Sequence, residues 1–258
     1  MHNSKHQFNF METYSCPIIH HEKIANELFS HMAMNTQKKF SRPDNLAIVT
    51  AHNYTHKSIF EKSLEHFGIS DYICLHHPEI EDWNHKLKLI WLNEYLKSPK
   101  CKEELILFCD ANDCILIDDP NKIIQIFVEH SCKMLFMSTK MKRGYPDKKS
   151  LRFAKKHNKS SSKKIRHLNS GVFIGEKYFV MTVLEDLLQI IKEIDANTHP
   201  ITKAIVEYYG KESSSCPAST YDKIYIPDQN IFRYLYPKYY PDMKIDLDNK
   251  LAYRNVSK

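Results

Sequence analysis

The stretch Glu104-Leu-Ile-Leu-Phe-Cys-Asp-Ala-Asn-Asp113 decides the fold of this chain. Its apolar run from Leu105 to Phe108 is typical of a strand that is buried on both faces. Two carboxylates, Asp110 and Asp113, follow at once, and a turn leaving the strand would let them converge. Ligands bind at the carboxyl ends of strands in open α/β sheets, so the pair predicts a site for a hard divalent cation that could hold a diphosphate. The alternative is a polar turn, because Asp and Asn are common turn residues.

Composition excludes several classes of protein. The chain has 258 residues and only five glycines, and it contains neither G-x-G-x-x-G nor G-x-x-x-x-G-K-[ST]. A glycine-rich phosphate loop is therefore not expected. Seven cysteines, none of them in C-x-x-C, indicate reduced core residues rather than a disulfide framework or a zinc site.

The sequence shows no targeting or membrane-spanning segment. Residues 1–10 are polar and lack the apolar core of a signal peptide. No apolar run approaches the ~20 residues of a membrane helix. We therefore expect a cytoplasmic protein without a transmembrane segment, and the sequence does not predict its oligomeric state.

The first clear elements predict an α/β fold. A strand over Leu46–Thr50 precedes an amphipathic helix that ends at Gly68, and a second strand follows over Tyr72–Leu75. This order predicts a mixed, mainly parallel sheet flanked by helices. Residues 45–258 form this single domain, and residues 1–44 are predicted to be a helical appendage with helical spacing from His20 to Met34.

Two segments are candidates for nucleotide binding. The end of the first strand and the loop after it, comprising Thr50, Ala51, His52 and Asn53, would lie at the sheet edge as a nucleotide wall, or it is an ordinary solvated loop. Lys86 lies near the start of a predicted helix and could reach a phosphate, although such a lysine is more often only solvated.

Positive charge is concentrated in one segment. Twelve Lys or Arg residues and one acid lie between Lys140 and Arg166, giving +11 there and about −5 elsewhere. The segment lacks an apolar period, which predicts a long, basic, mobile loop. It is either a solubilising loop or a surface for an acidic substrate, nucleic acid or an anionic membrane.

Polar groups flank a late apolar strand. In His167-Leu-Asn-Ser-Gly-Val-Phe-Ile-Gly175, Gly171 would allow a close approach of the backbone to a ligand. Asn169 would present an amide suited to sugar hydroxyls. Asp228, further along, is either a helix cap or a catalytic or sugar-binding acid.

Three segments in order resemble one family. They are Leu-Phe-Cys-Asp-Ala-Asn-Asp113, Leu-Asn-Ser-Gly-Val-Phe-Ile-Gly175, and Asp-Gln-Asn-Ile-Phe232 followed by Ile-Asp-Leu-Asp248. From about Asn45 to Val256 the chain resembles the glycosyltransferase domain of procollagen lysyl hydroxylases and its viral and bacterial relatives. The resemblance implies a GT-A fold and transfer of a hexose from a UDP-sugar, usually with Mn²⁺.

The resemblance also implies residue roles. Asp110 and Asp113 match the aspartates of the D-x-D-like motif that hold the metal and the diphosphate. The loop after the first strand would line the uridine, and Lys86 matches a basic residue at the donor site. Asn169 and Asp228 match residues of the sugar and acceptor pocket.

The sequence departs from the family pattern at three places. Asn112 stands where an aromatic residue usually lies beside the base. The acidic run before the Asp-Gln pair is reduced to Pro227-Asp228. A His-Gly motif that normally supplies a third metal ligand does not occur before Lys258, so that ligand is absent, is Asp248, or lies beyond a truncated end.

The leading hypothesis is a hexosyltransferase that uses Mn²⁺ or Mg²⁺ and a UDP-hexose donor. Its hydroxyl acceptor is not predicted, and hydroxylysine-like protein, a glycan and a lipopolysaccharide sugar are the candidates. The alternative is a non-catalytic module with a degenerate metal site that binds a nucleotide sugar or an acidic partner. A nucleic-acid-binding protein that acts through residues 140–166 ranks third.

Overall fold

A six-stranded mixed sheet forms the centre of the protein, and a three-stranded sheet shares a core with one of its faces. The computed structural model describes residues 16–20, 25–35, 38–81, 83–142, 144–212 and 226–254. The strands are β1 Ile18–His20, β2 Leu46–His52, β3 Ile73–His76, β4 Leu105–Cys109, β5 Cys114–Leu116, β6 Met134–Thr139, β7 His167–Glu176, β8 Met243–Ile245 and β9 Ala252–Arg254.

The large sheet has the order β3-β2-β4-β7-β6-β8. Strand β2 pairs in parallel with β3 and β4, and β6 pairs in parallel with β8. Strand β7 is antiparallel to both of its neighbours, β4 and β6. The predicted fold class, a mixed and mainly parallel sheet flanked by helices, is confirmed.

Helices cover both faces of the large sheet. They are α1 Ala25–Asn35, α2 Ile59–His66, α3 His85–Lys97, α4 Pro120–Glu129, α5 Lys148–His157, α6 Lys177–Asp195, α7 Thr202–Glu212 and α8 Asp228–Tyr239. Among the helices described here, none combines the length and apolarity that a membrane crossing would need.

Strand β4 separates two apolar layers. Ile106 and Phe108 belong to a core that includes buried side chains of α3, α6 and α8. Leu107 and Cys109, on the opposite face, join a core with buried side chains of α1, α2 and α4. Because successive side chains of a strand point to opposite faces, a strand covered on both sides has to be apolar throughout.

The small sheet brings an N-terminal segment into the fold. Strand β1 lies between β5, to which it is antiparallel, and β9, to which it is parallel. His20 is therefore the last residue of a buried strand, and the described helix is Ala25–Asn35, so the helical prediction was wrong at His20. Pairing with distant strands overrode the local helical spacing. The domain boundary at residue 44 stays a prediction, because residues 1–15 lie outside the described part of the chain.

The basic segment contains a helix, which corrects the prediction of a loop throughout. The Asp147 side chain caps α5 by accepting from the backbone N–H of Ser150 at 2.8 Å. Ser150 and Ala154 are buried, and the Phe153 ring meets the Tyr236 ring of α8 edge-on. Small and polar residues fill most of the inner face, so the apolar period that usually reveals a helix is weak. The mobility of residues 140–166 stays a prediction.

Candidate active site

The turn between β4 and β5 carries the two predicted metal ligands. The backbone N–H of Asp110 donates to the Gly171 carbonyl oxygen at 2.8 Å, which ties the turn to β7. The N–H of Phe60 donates to the Ala111 carbonyl oxygen at 3.0 Å, so α2 holds the turn from its other side. With the backbone fixed in this way, Asp110 and Asp113 both line one cavity.

The cavity lies at the carboxyl end of β4 and has a volume of about 210 Å³. It joins the β4–β5 turn to β1, β7 and the first turns of α3 and α8. Its lining residues are His20, His85, Lys88, Asp110, Asp113, Asn169, Ser170, Gly171, Pro227, Asp228, Gln229 and Asn230. Three predicted residues that are distant in sequence, Asn169, Gly171 and Asp228, line the same cavity as Asp110 and Asp113.

A buried lysine connects two of the acids. Lys88 Nζ lies 2.7 Å from Asp110 Oδ1 and 3.0 Å from Asp228 Oδ2. Burial alone would lower the pKa of Lys88, but the charges of Asp110 and Asp228 outweigh it and raise that pKa. Burial would likewise raise the pKa of Asp110, and Lys88 reverses this effect, so the pKa of Asp110 is lowered. The lysine is therefore an ammonium, and Asp110 faces it as a carboxylate.

A histidine from β1 faces the other side of the acidic pair. His20 Nε2 lies 3.1 Å from Asp113 Oδ2 and 3.9 Å from Asp110 Oδ2. Burial would lower the pKa of His20, but the charge of Asp113 and hydrogen bonds to both acids raise it to about 10. The β1–β5 register produces this arrangement, because it sets His20 opposite Cys114, the residue after Asp113.

Asn169 links two walls of the cavity. Its side-chain oxygen accepts from the Gly171 N–H at 2.9 Å, and its amide nitrogen donates to Gln229 Oε1 at 2.8 Å. Gly171 permits the close passage of β7, because a Cβ there would lie 2.5 Å from His20 Nε2 and 2.8 Å from Asp110 Oδ2. Asp228 begins α8, with its Oδ1 atom 3.8 Å from His85 Nδ1.

The predicted nucleotide wall is only partly turned towards solvent. Thr50 is buried and donates its hydroxyl to the Cys109 carbonyl oxygen at 2.8 Å, and Ala51 is buried as well. Asn53 is half-buried and donates to the Ile80 carbonyl oxygen at 2.7 Å. Asn112 is exposed and lies beside the side chain of Tyr54. None of these predicted residues lines the cavity.

His52 is hydrogen bonded to a buried acid. Its Nε2 atom lies 2.8 Å from Glu61 Oε2, and both side chains are buried. Burial would raise the pKa of Glu61, but hydrogen bonds from His52 and Ser58 lower it to about 2. Glu61 also closes the capping box of α2 with Ser58. These contacts give His52 a structural role in joining β2 to α2.

Two predicted groups point away from the cavity. Lys86 Nζ pairs with Asp195 at 2.9 Å, although Lys86 lies only two residues from Lys88. Asp248, one candidate for a third metal ligand, accepts from the Ser161 backbone and hydroxyl at 3.0 and 2.7 Å. Neither residue lines the cavity, so the structure does not support Asp248 as a ligand.

Sequence reasoning missed His20, His85, Lys88 and Gln229. For Lys88 a signal was available: it lies on the buried stripe of α3 with Trp91 and Leu92, and a lysine among apolar positions of a helix face needs a partner. For His20 no local signal existed, because its place follows from pairing with a distant strand.

Comparison with known proteins identifies one family. The family model described as the PLOD GT domain matches residues 44–199, which is more than half of the chain. No curated protein matches. Among solved structures, 4-diphosphocytidyl-2C-methyl-D-erythritol synthase from Anaerococcus prevotii is 14% identical over 80% of this chain and 98% of that chain, with a TM-score of 0.32. A likeness at this level supports no inference about function.

Proposed function

This chain belongs to the PLOD GT domain family of glycosyltransferase domains, and we propose that it transfers a hexose from a UDP-sugar to a hydroxyl acceptor with the help of Mn²⁺ or Mg²⁺. One observation carries the proposal. The family's matched segment places Asp110 and Asp113 at the carboxyl end of β4, and both line a cavity that Asp228 and Asn169 also enter.

The charge of the cavity favours a sugar donor whose diphosphate is bound through a cation. Three aspartates and one lysine line it, so the lining stays negative even when His20 is protonated. A diphosphate would be repelled by this lining unless a cation lay between them. Carboxylate oxygens are ligands suited to Mn²⁺ and Mg²⁺, and Asp110 and Asp113 would hold the ion.

A bound divalent ion would supply a Lewis acid that offsets the charge developing on the UDP leaving group. Lys88 has a different role in the proposed site. Its ammonium group fixes Asp110 and Asp228 relative to each other, and it adds a positive charge at the cavity wall. Lys86 is not proposed for this role, because its nitrogen is paired with Asp195.

Asp228 is the proposed acid of the sugar subsite. It lies within the cavity, and it would orient the donor hexose or accept the proton of the acceptor hydroxyl. Asn169 keeps one N–H for a sugar hydroxyl, since its other polar atoms bond Gly171 and Gln229. The uridine would lie outside this cavity, beside Asn53 and Asn112 at the carboxyl end of β2 and in the β4–β5 turn.

The test is a transfer and hydrolysis assay over a panel of UDP-hexoses with Mn²⁺ or EDTA. Wild-type protein should release UDP only with the ion, and Asp110→Asn and Asp113→Asn should each abolish release. Asp242→Asn is a matched control, because Asp242 is an exposed carboxylate paired with Lys133 outside the cavity. Full activity in excess EDTA would contradict the metal-dependent mechanism. Binding of UDP without turnover over the whole panel would instead identify a non-catalytic module.

A further inference from the structure

We infer that His20, from the N-terminal strand β1, is the third protein ligand of the metal ion held by Asp110 and Asp113. This inference rests on the proposed function. It supplies a third ligand from the N-terminal part of the chain, since the described residues near the C-terminus supply none. It also makes β1 part of the active site.

The separations between the side-chain atoms fit a shared ion. Ligands about 2.1 Å from an octahedral ion are roughly 3.0 Å apart when adjacent and about 4.2 Å apart when opposite. His20 Nε2 lies 3.1 Å from Asp113 Oδ2 and 3.9 Å from Asp110 Oδ2. Both separations fall within this range, so His20 Nε2 lies at a ligand-to-ligand distance from each of the two carboxylates.

The imidazole is held in this position by its surroundings. His20 is only 2% exposed, and the β1–β5 pairing fixes its backbone opposite Cys114. The Gly171 backbone passes so close that a Cβ would lie 2.5 Å from His20 Nε2. The Gly171 backbone therefore borders the Nε2 atom closely on one side.

The other ring nitrogen makes no hydrogen bond within the described residues. His20 Nδ1 is buried and has no such partner there. A buried polar atom without a partner is costly, and such a group in a native structure needs an explanation. Coordination would not give Nδ1 a partner, but binding an ion through Nε2 would offset the cost of burying the imidazole.

The neighbouring groups fit the role less well. Cys114 shares a compact group with His20 and Asp113, but its sulfur is hydrogen bonded to the Gly171 carbonyl oxygen, and hard divalent ions prefer oxygen and nitrogen ligands to sulfur. His85 lies beside Asp228, and Asp248 is bonded to Ser161. His20 is the nitrogen donor that faces both Asp110 and Asp113.

The experiment is pulsed electron paramagnetic resonance on the full chain with bound Mn²⁺. Wild-type protein should show modulation from a directly coordinated ¹⁴N nucleus. His20→Gln should lose the modulation and bind Mn²⁺ about tenfold or more weakly, whereas His85→Gln should keep the modulation. If His20→Gln does not fold, the modulation in wild-type protein and in His85→Gln decides.

The outcomes separate the two proposals. Mn²⁺ binding that requires Asp113 but shows no nitrogen modulation would overturn the role of His20 and leave the proposed function standing. Modulation lost in His85→Gln and kept in His20→Gln would overturn it as well. Absence of any Mn²⁺ binding by the wild-type protein would overturn the metal dependence itself and the inference with it.

Discussion

Lys88 Nζ lies 2.7 Å from Asp110 Oδ1, while the other oxygen of Asp110 faces His20. The two oxygens of this carboxylate therefore have different neighbours. The ammonium group of Lys88 is bound to one oxygen, and the second oxygen faces the cavity. A cation added to the site would meet Asp110 through the second oxygen. Lys88 would remain in place and limit the negative charge of the cavity.

Replacing the buried lysine tests this division of roles. Lys88→Met should lower the free energy of unfolding in EDTA by roughly 3 kcal/mol, because Asp110 and Asp228 lose their shared buried partner. The same variant should gain more thermal stability from Mn²⁺ than wild-type protein does, since a nearby positive charge has been removed. Urea unfolding and thermal shifts measure both effects.

Lys86→Met is the matched control on the same helix. Its partner Asp195 lies at 2.9 Å in a partly exposed pair, so the loss should stay below about 1 kcal/mol. Equal losses in the two variants would contradict the distinct role of Lys88.

A methyl group at Gly171 should damage the metal site. Gly171→Ala would bring a Cβ within 2.5 Å of His20 Nε2 and 2.8 Å of Asp110 Oδ2, so these side chains must shift. We expect a loss of about 1–3 kcal/mol in stability and a strong reduction of the Mn²⁺-induced thermal shift.

Gly175→Ala is the control for Gly171→Ala, because it overpacks the same strand without touching the metal site. A Cβ there would lie 2.7 Å from Val180 and 2.9 Å from the Lys133 carbonyl oxygen, and Gly175 does not line the cavity. This variant should be destabilised while keeping the Mn²⁺-induced shift. An unchanged shift in Gly171→Ala would argue against the close packing described around His20.

Acid should destabilise the fold partly through His167. Burial, with the charges of Arg233, Lys142 and Lys155, lowers the pKa of His167 to about 4. Between about pH 6.5 and 4 the unfolded chain therefore binds the proton more readily than the folded protein does, so stability falls as the pH falls through this window. Tyr145 also faces the ring, with its hydroxyl oxygen 3.0 Å from Nδ1.

The corresponding variant is His167→Asn. Its melting temperature should fall less between pH 6.5 and 4.5 than that of wild-type protein, as measured by differential scanning fluorimetry over a pH series. Parallel curves for the two proteins would show that His167 does not contribute to acid sensitivity.

The outer face of α5 should bind anionic surfaces if the prediction for the basic segment holds. Lys148, Lys149, Lys155 and Lys156 are exposed on this helix. Replacing them with Glu should greatly reduce co-sedimentation with phosphatidylserine vesicles, and binding by wild-type protein should weaken as salt is added. Lys97→Glu with Lys203→Glu, two partly or largely exposed lysines on other helices, provides the control. Salt-independent binding would count against this surface.

The sequence predicted the parts of the site that depend on local pattern. The apolar run of β4 followed by Asp110 and Asp113 is such a pattern, because strand burial and turn chemistry are encoded in adjacent residues. The helix α5 was missed because its inner face contains Ser150 and Ala154 in place of large apolar residues. Lys86 was predicted from its place near the start of the helix and from the resemblance, whereas the structure brings Lys88 to the cavity.

The position of His20 could not be predicted from local pattern. It depends on β1 inserting between β5 and β9, two strands that lie far from it along the chain. Helical spacing after His20 was the stronger local signal. The free energy that decides between these states comes from tertiary pairing and from burial of Ile18 and Ile19.

The central claim is that Asp110 and Asp113 bind a divalent ion that in turn binds a diphosphate. Isothermal titration calorimetry of UDP into the protein tests it most directly, with Mn²⁺ or with EDTA, for wild-type protein and for Asp113→Asn. We predict UDP binding by wild-type protein only in the presence of Mn²⁺, and no binding by Asp113→Asn in either condition. Equal UDP affinity with Mn²⁺ and with EDTA would contradict the claim.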